Sequence, residues 1–242
     1  MSKLAWLTQR PIAHRGLHDM NKSVWENTLS AFRRAIDGGY AIECDVHITA
    51  DGAPIIFHDN VLKRLTGADG YIWQRTLAEM QALRIGGTQD YPPTLVETLD
   101  LIGGRTPIII ELKGIPGEDD GLVEKVCSIL KGYDGHAAIM SFDHWLIRQM
   151  PNYAGSIPCG LTALGEDRKD LEAHFSMLGY GIDFVSYCAA HMPNHFVTFV
   201  RKELKTPVIT WTVRDEAALQ HSYRHGDQIT FEGFRPEDVT IA

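Results

Sequence analysis

Pro107-Ile108-Ile109-Ile110-Glu111-Leu112 is the stretch that decides the fold. Three consecutive isoleucines leave no polar face, so the segment reads as a strand buried on both sides, as in a parallel sheet covered by helices. The carboxylate of Glu111 follows at the end of that run, where burying it unpaired would be costly. A charge placed there marks the strand end as a working position.

Similar short runs, rich in β-branched residues, occur at 11–14, 41–49, 54–58, 136–141, 159–162, 184–188, 207–213 and 228–231. Between them, 26–36, 94–102, 122–130, 144–150, 169–178, 196–204 and 216–224 carry apolar residues at helical spacing, with Gly38-Gly39 and Gly103-Gly104 as stops. Strand followed by helix, repeated, implies a parallel α/β sheet. If 41–49 and 54–58 form one bent strand, or a strand with an edge hairpin at Asp51-Gly52, the parallel strands number eight, which closes a TIM (β/α)8 barrel. Residues 59–91 break the rhythm with Gly67, Gly70, Gly86 and Gly87 and one helical stretch at 77–83, and read as a small insertion after the second strand that could cover a substrate. No linker, repeat or low-complexity tract appears, so residues 1–242 are expected to form one domain.

With 44% hydrophobic and 22% charged residues the chain is an ordinary globular one, and a net charge of −8 argues against nucleic acid as a partner. Residues 1–10 lack the apolar core of a signal peptide and no run is long enough to span a membrane, so the expected location is cytoplasmic, without stable membrane insertion. Cys44, Cys127, Cys159 and Cys188 form no CxxC pair and read as buried free thiols. Nothing marks an interface, which leaves a homo-oligomer open.

Glu43 and Asp45 are two apart in a strand and so share a face. With Glu111 they make three carboxylates at strand ends, an oxygen-donor set suited to one divalent cation, Mg²⁺ or Ca²⁺ with Mn²⁺ also acceptable, rather than zinc. Taken singly, each acid could equally cap a helix or pair with a base. Lys113, on the same face as Glu111, could neutralise a carboxylate or reach a phosphate oxygen. His14 and His58 each end an apolar run, and an imidazole titrates close enough to neutrality to serve as acid or base. Arg15 can clamp an anionic phosphate. Together these residues suggest phosphodiester chemistry on a metal.

The motifs His14-Arg15-Gly16, Glu26-Asn27-Thr28, Glu43-x-Asp45, His58-Asp59, Glu111-Leu112-Lys113 and Trp211-Thr212-Val213 resemble those of the glycerophosphodiester phosphodiesterase family, within the phospholipase-C-like phosphodiesterases. The likeness extends to Pro93-Thr94-Leu95, Ser141-Phe142-Asp143 and the 226–230 run. It implies a TIM barrel, a cation held by Glu43, Asp45 and Glu111, His14 and His58 as the acid–base pair, and Arg15 on phosphate. It also implies attack by the glycerol 2-hydroxyl, a cyclic phosphate, and hydrolysis to glycerol 3-phosphate. Glu26 and Asn27 either open a helix or serve the substrate directly, and Trp211 either packs over glycerol or belongs to the barrel core. Two departures stand out: Trp25 replaces the usual proline before Glu-Asn-Thr, and Thr230-Phe231-Glu232-Gly233-Phe234 replaces the usual Thr-Asp-x-Pro, which bears on the eighth loop and substrate choice. His18, His47, His144, His191 and His195 match no motif and are read as structural or exposed. Rival readings are a lysophospholipid or phosphoinositide phosphodiesterase and a non-catalytic barrel that binds a phosphate ligand. In each of them the partner is a small molecule or a lipid headgroup.

Overall fold

The triple-isoleucine segment is strand β4 (Ile108–Leu112), buried along its whole length. In the computed structural model, which describes residues 4–239, the other strands are β1 (Ile12–Ala13), β2 (Ala41–Ile48), β3 (Pro54–Ile56), β5 (Ala137–Ser141), β6 (Cys159–Ala163), β7 (Phe184–Cys188), β8 (Val208–Val213) and β9 (Gln228–Phe231). The parallel ladder runs β2-β4-β5-β6-β7-β8-β9-β1, and β1 pairs again with β2. Eight parallel strands therefore close into a TIM barrel. The ninth, β3, is antiparallel to β2 across a turn at Asp51-Gly52, where Gly52 has φ +79°. This is the hairpin alternative expected from the sequence.

The helices are α1 (Leu29–Asp37), α2 (Lys63–Thr66), α3 (Leu77–Ala82), α4 (Leu95–Ile102), α5 (Leu122–Leu130), α6 (His144–Ile147), α7 (Met150–Tyr153), α8 (Arg168–Met177), α9 (His195–Lys202) and α10 (Glu216–His225). Three differ from the sequence expectation, one being α2, in a region where 77–83 alone is expected to be helical. The stretch expected to be helical from residue 26 starts at Leu29 instead, because Asn27 takes a left-handed φ of +55° and Thr28 is extended, its hydroxyl accepting from the Ala31 amide as the N-cap. The segment 144–150 splits into α6 and α7, with Pro151 in the first turn of α7, where a missing N–H costs nothing.

Strand alternation sends successive residues to two regions. Ile42, Cys44 and Val46 of β2, and Ile108, Ile110 and Leu112 of β4, face the helices in one large core. The other face looks into the barrel. There Ile12, Ala41, Ile109, Ala138, Met140, Phe184 and Ile209 pack with Trp6 and Leu7 of the N-terminal 3₁₀ turn (Ala5–Thr8), which plugs the end where the strands begin. The inner positions nearer the strand C-termini are left to polar groups. Residues 59–91 contain α2, α3 and the turn Ile72–Gln74, and pack Leu62, Leu65, Ile72, Met80 and Ile85 against Ile55 and Phe57 of the hairpin.

All four cysteines are free, with Cys44, Cys127 and Cys159 buried and Cys188 half-buried. Among the described residues, no helix is long and apolar enough to cross a membrane.

The turn leaving β1 depends on Gly16, which has φ +79°, and a Cβ there would lie 2.9 Å from Ala31 and from the Phe32 ring. Gly16→Ala is expected to cost about 1–3 kcal/mol through backbone strain and crowding, read as a lowered urea midpoint with an unchanged slope.

Candidate active site

A cavity of about 180 Å³ opens at the C-terminal ends of the strands, lined by His14, Arg15, Glu43, Asp45, His58, Glu111, Lys113, Phe142, Trp211, Arg214 and polar residues of β6, β7 and β9. A larger cleft of about 580 Å³, by Trp6, His136 and Ile157, lies at the opposite end and gathers no such carboxylates. Glu43 and Asp45 both point into the barrel from β2, and the ladder sets Asp45 level with Glu111 of β4. One oxygen from each of the three lies within 4.8 Å of the others, and all three residues are buried.

Two cations answer this charge from within the protein. Lys113 Nζ lies 2.5 Å from Glu111 Oε1 and 3.3 Å from Asp45 Oδ1, and Arg15 Nε lies 3.3 Å from Asp45 Oδ2. Burial works against ionising Asp45, but Lys113, Arg15 and His58 outweigh it and hold its carboxyl well below the usual range. Glu43 is the opposite case. Burial, then the charges of Asp45 and Glu111, push its carboxyl well above the usual carboxylate range. Burial likewise raises Glu111, against the opposing charge of Lys113. A site that pushes two of its carboxyls up is short of positive charge. Three converging oxygens with no thiolate or imidazole among them fit a hard divalent cation.

Both histidines are oriented from behind by a carboxylate. His14 Nδ1 lies 2.5 Å from Glu232 Oε2, while its Nε2 lies 4.0 Å from Glu43. His58 Nδ1 donates to Asp59 Oδ1 at 2.7 Å, which leaves Nε2 as the ring nitrogen for the cavity. Burial lowers the proton affinity of His14, with Glu232 opposing and Arg15 adding to the effect. Glu232 is held well below the carboxylate range, since His14, His18 and Arg214 outweigh its burial. Arg214 reaches Glu232 Oε1 through Nε and Nη2, both at 2.7 Å. The atypical eighth loop thus supplies the acid behind His14. Nothing in the sequence pattern of Glu232 gave it that role; its place one residue past the end of β9 was the available signal. Asp59 was visible only as the second half of a motif.

Glu26 and Asn27, expected either to meet substrate or to open a helix, do not cap α1, whose N-cap is Thr28. They stand before α1 and outside the cavity lining. Glu26 accepts from Arg15 Nη1 at 2.6 Å and from both terminal nitrogens of Arg64 at 2.8 Å, which bring its carboxyl down to about 2 against the effect of burial. Asn27 Nδ2 donates to Asp45 Oδ2 at 2.8 Å. Arg15 and Asn27 both have left-handed backbones, φ +54° and +55°, and the Asn27 amide donates to the Arg15 carbonyl at 2.9 Å. Trp211 lines the cavity with its ring edge-on to Phe142 at 5.3 Å, its Nε1 donating to the Ser186 carbonyl at 3.1 Å. Of the histidines without a motif, His47 is buried with Nε2 3.1 Å from the His58 carbonyl, and His18 Nε2 lies 3.5 Å from Glu232.

Residues 14–231 match the sequence model of the glycerophosphoryl diester phosphodiesterase family. The chain belongs to that family. A glycerophosphodiester phosphodiesterase of Caldanaerobacter subterraneus subsp. tengcongensis is 35% identical over 160 residues, 62% of this chain and 65% of that protein. Human glycerophosphodiester phosphodiesterase 1 is 33% identical over 114 residues, 43% of this chain and 33% of its own. These alignments therefore span two thirds or less of the relatives' length. A phosphodiesterase of Oleispira antarctica, solved with the product sn-glycerol-3-phosphate, superposes with a TM-score of 0.80 at 25% identity, covering 94% of both chains. The fold is shared as well with a Silicibacter pomeroyi protein (TM-score 0.79, 23% identity, covering 96% of this chain and 94% of that one).

Because a cation needs Glu43 and Glu111 as carboxylates while the bare site favours their protons, binding should release protons and weaken as pH falls. Calorimetric titration of Mn²⁺ in buffers of differing ionisation heat is expected to show that release, and Glu43→Gln to abolish binding.

Proposed function

We propose that this chain hydrolyses glycerophosphodiesters to glycerol 3-phosphate and an alcohol, as one barrel domain over 1–242 with 59–91 an insertion within it. His14 and His58 act as the acid–base pair and Arg15 binds the phosphate. The observation that carries the reading is that two imidazoles, each with Nδ1 engaged by its own acid, border the same cavity as three converging carboxylates and an arginine.

One histidine takes the proton of the glycerol 2-hydroxyl as that oxygen attacks phosphorus, and the other protonates the departing alkoxide. Reversing the two roles lets water open the resulting cyclic phosphate. Glu232 and Asp59 keep each imidazole in one tautomer and stabilise it when protonated, the role a carboxylate plays behind a catalytic histidine. Arg15, salt-bridged to Glu26 and Asp45, presents its guanidinium to the phosphoryl oxygens from a fixed direction. Glu43, Asp45 and Glu111 would hold one Mg²⁺ or Ca²⁺, with Mn²⁺ a substitute, and the ion when bound supplies Lewis-acid offset of charge on those oxygens. Trp211 and Lys113 border the substrate. The product complex of the Oleispira antarctica relative supports a small glycerophosphate ligand here too. We place the protein in the cytoplasm on the same reading.

A second substrate range has one observation in its favour. A cleft of about 490 Å³, walled by Ala189, Ala190, Met192, Ala217 and Ala218, adjoins the cavity at Trp211, Thr212 and Arg214. It suits diesters with an apolar arm, such as lysophospholipids, and comparing these with glycerophosphocholine measures the preference. A barrel that only bound its ligand would have no use for two imidazoles backed by acids.

Glycerol 3-phosphate release from glycerophosphocholine, glycerophosphoethanolamine and glycerophosphoglycerol should appear with Mg²⁺, Mn²⁺ or Ca²⁺ and vanish with chelator. His14→Ala or His58→Ala should lower kcat about 10²- to 10⁴-fold, the contribution of a positioned acid or base. No product from the wild type under any of these conditions would defeat the assignment.

A further inference from the structure

Arg64 lies on α2, in the excursion formed by residues 59–91 and outside every motif read from the sequence, yet its guanidinium makes four hydrogen bonds to two carboxylates. Its Nε and Nη2 reach Asp59 Oδ2 and Oδ1 at 2.6 and 2.7 Å, and its Nη1 and Nη2 reach Glu26 Oε2 and Oε1 at 2.8 Å each. Asp59 is the acid on His58 Nδ1, and Glu26 is the acid on Arg15 Nη1. We propose that Arg64 is a positioning residue for the reaction: one guanidinium carried by the excursion fixes the acid behind His58 and the acid behind Arg15 together. The inference rests on the roles given to His58 and Arg15 above.

The geometry demands a guanidinium in particular. Its planar fork meets two carboxylates at once, which a lysine ammonium cannot do with the same directionality. Without it, two carboxylates would face each other across a small gap. Asn21 Nδ2 gives Glu26 one further donor at 2.6 Å, but Asp59 would keep only His58, and the imidazole would lose its fixed direction. Arg64 is itself held from below. Its neighbours Leu62 and Leu65 are buried in the excursion's own core with Ile55 and Phe57 of the hairpin. The side chain is 44% exposed, so removing it leaves no hole in that core. Packing of the excursion thus sets where His58 and Arg15 point, and a shift of α2 would disturb both.

Arg64→Ala is expected to lower kcat/KM about 10- to 100-fold, the usual cost of losing a group that orients site residues from behind. KM should rise through Arg15 and kcat should fall through His58. Millimolar guanidinium should restore part of the loss in Arg64→Ala and none in His58→Ala, and Arg64→Lys should remain impaired. In an Asp59→Asn, Glu26→Gln background the same substitution should cost less than about threefold, because the groups it acts through are gone. Two readouts do not need turnover. The low-field Nδ1–H resonance of His58, assigned by its absence in His58→Gln, should disappear in Arg64→Ala, and sn-glycerol 3-phosphate should bind more weakly by calorimetry. Those two changes in a wild type without diesterase activity would defeat the proposed function and leave the tie standing. Activity within twofold of wild type, losses additive with Asp59→Asn and Glu26→Gln, or a retained His58 resonance would overturn it.

Discussion

Buried negative charge at the mouth of the barrel is the constraint on which the rest of the site depends. Glu43, Asp45 and Glu111 are all buried, and Arg15 and Lys113 stand against them at close range, with His14 Nε2 4.0 Å from Glu43. Desolvated carboxylates this near to one another cannot all ionise without more positive charge. The protein relieves two of them unequally: Asp45, touched by both cations and by Asn27, is held well below the usual carboxylate range, while Glu43, with the Arg15 amide at 2.9 Å and His14 Nε2 at 4.0 Å, is pushed above it. A divalent cation bound by the three oxygens would remove that deficit. The deficit arises from strand register, since the parallel pairing of β2 with β4 sets Asp45 beside Glu111.

The outer acids follow a different rule. Glu26 and Asp59 share Arg64, and Glu232 has Arg214, so each is ionised and free to hold an imidazole or a guanidinium. An inner set short of positive charge and an outer set amply supplied with it divide the work. The inner set is suited to binding a cation and the outer to aiming His14, His58 and Arg15. Both sets sit where strands end and helices begin, while the apolar plug of Trp6, Leu7 and Phe184 fills the inside of the barrel at the other end.

Much of this was legible in the sequence, and the reason differs from residue to residue. Ile108-Ile109-Ile110 could only be a strand covered on both faces, and period-two spacing alone put Glu43 and Asp45 on one side. Thr94 and Gly103 bracket α4 as cap and stop. What escaped were partners distant in sequence. Glu232 meets His14 across 218 residues, and Arg64 meets Glu26 across 38, separations set by barrel closure and the fold of the excursion, which no local pattern encodes. Glu26 and Asn27 belong to a motif visible in the sequence, but their contacts with Arg15, Asn21, Arg64 and Asp45 were not legible there. The true start of α1 was also hidden, because it depends on the left-handed backbone at Asn27.

That backbone explains how the loop after β1 can be so well defined. A left-handed φ at a non-glycine residue costs on the order of 1 kcal/mol or more, and four occur in this loop, at Arg15, Met20, Asn21 and Asn27, with Arg15 and Asn27 hydrogen-bonded to each other through the backbone. The turn they make sends the Arg15 amide to Glu43, the Asn27 side chain to Asp45 and the Arg15 side chain to Glu26 and Asp45. Strain in the loop is therefore offset by hydrogen bonds to the same carboxylates that gather toward a cation, and those carboxylates are in turn aimed by the loop. Neither would hold its geometry alone. This mutual dependence accounts for Gly16 directly after Arg15, where φ is +79° and a Cβ would come within 3 Å of Ala31 and Phe32, so no side chain fits.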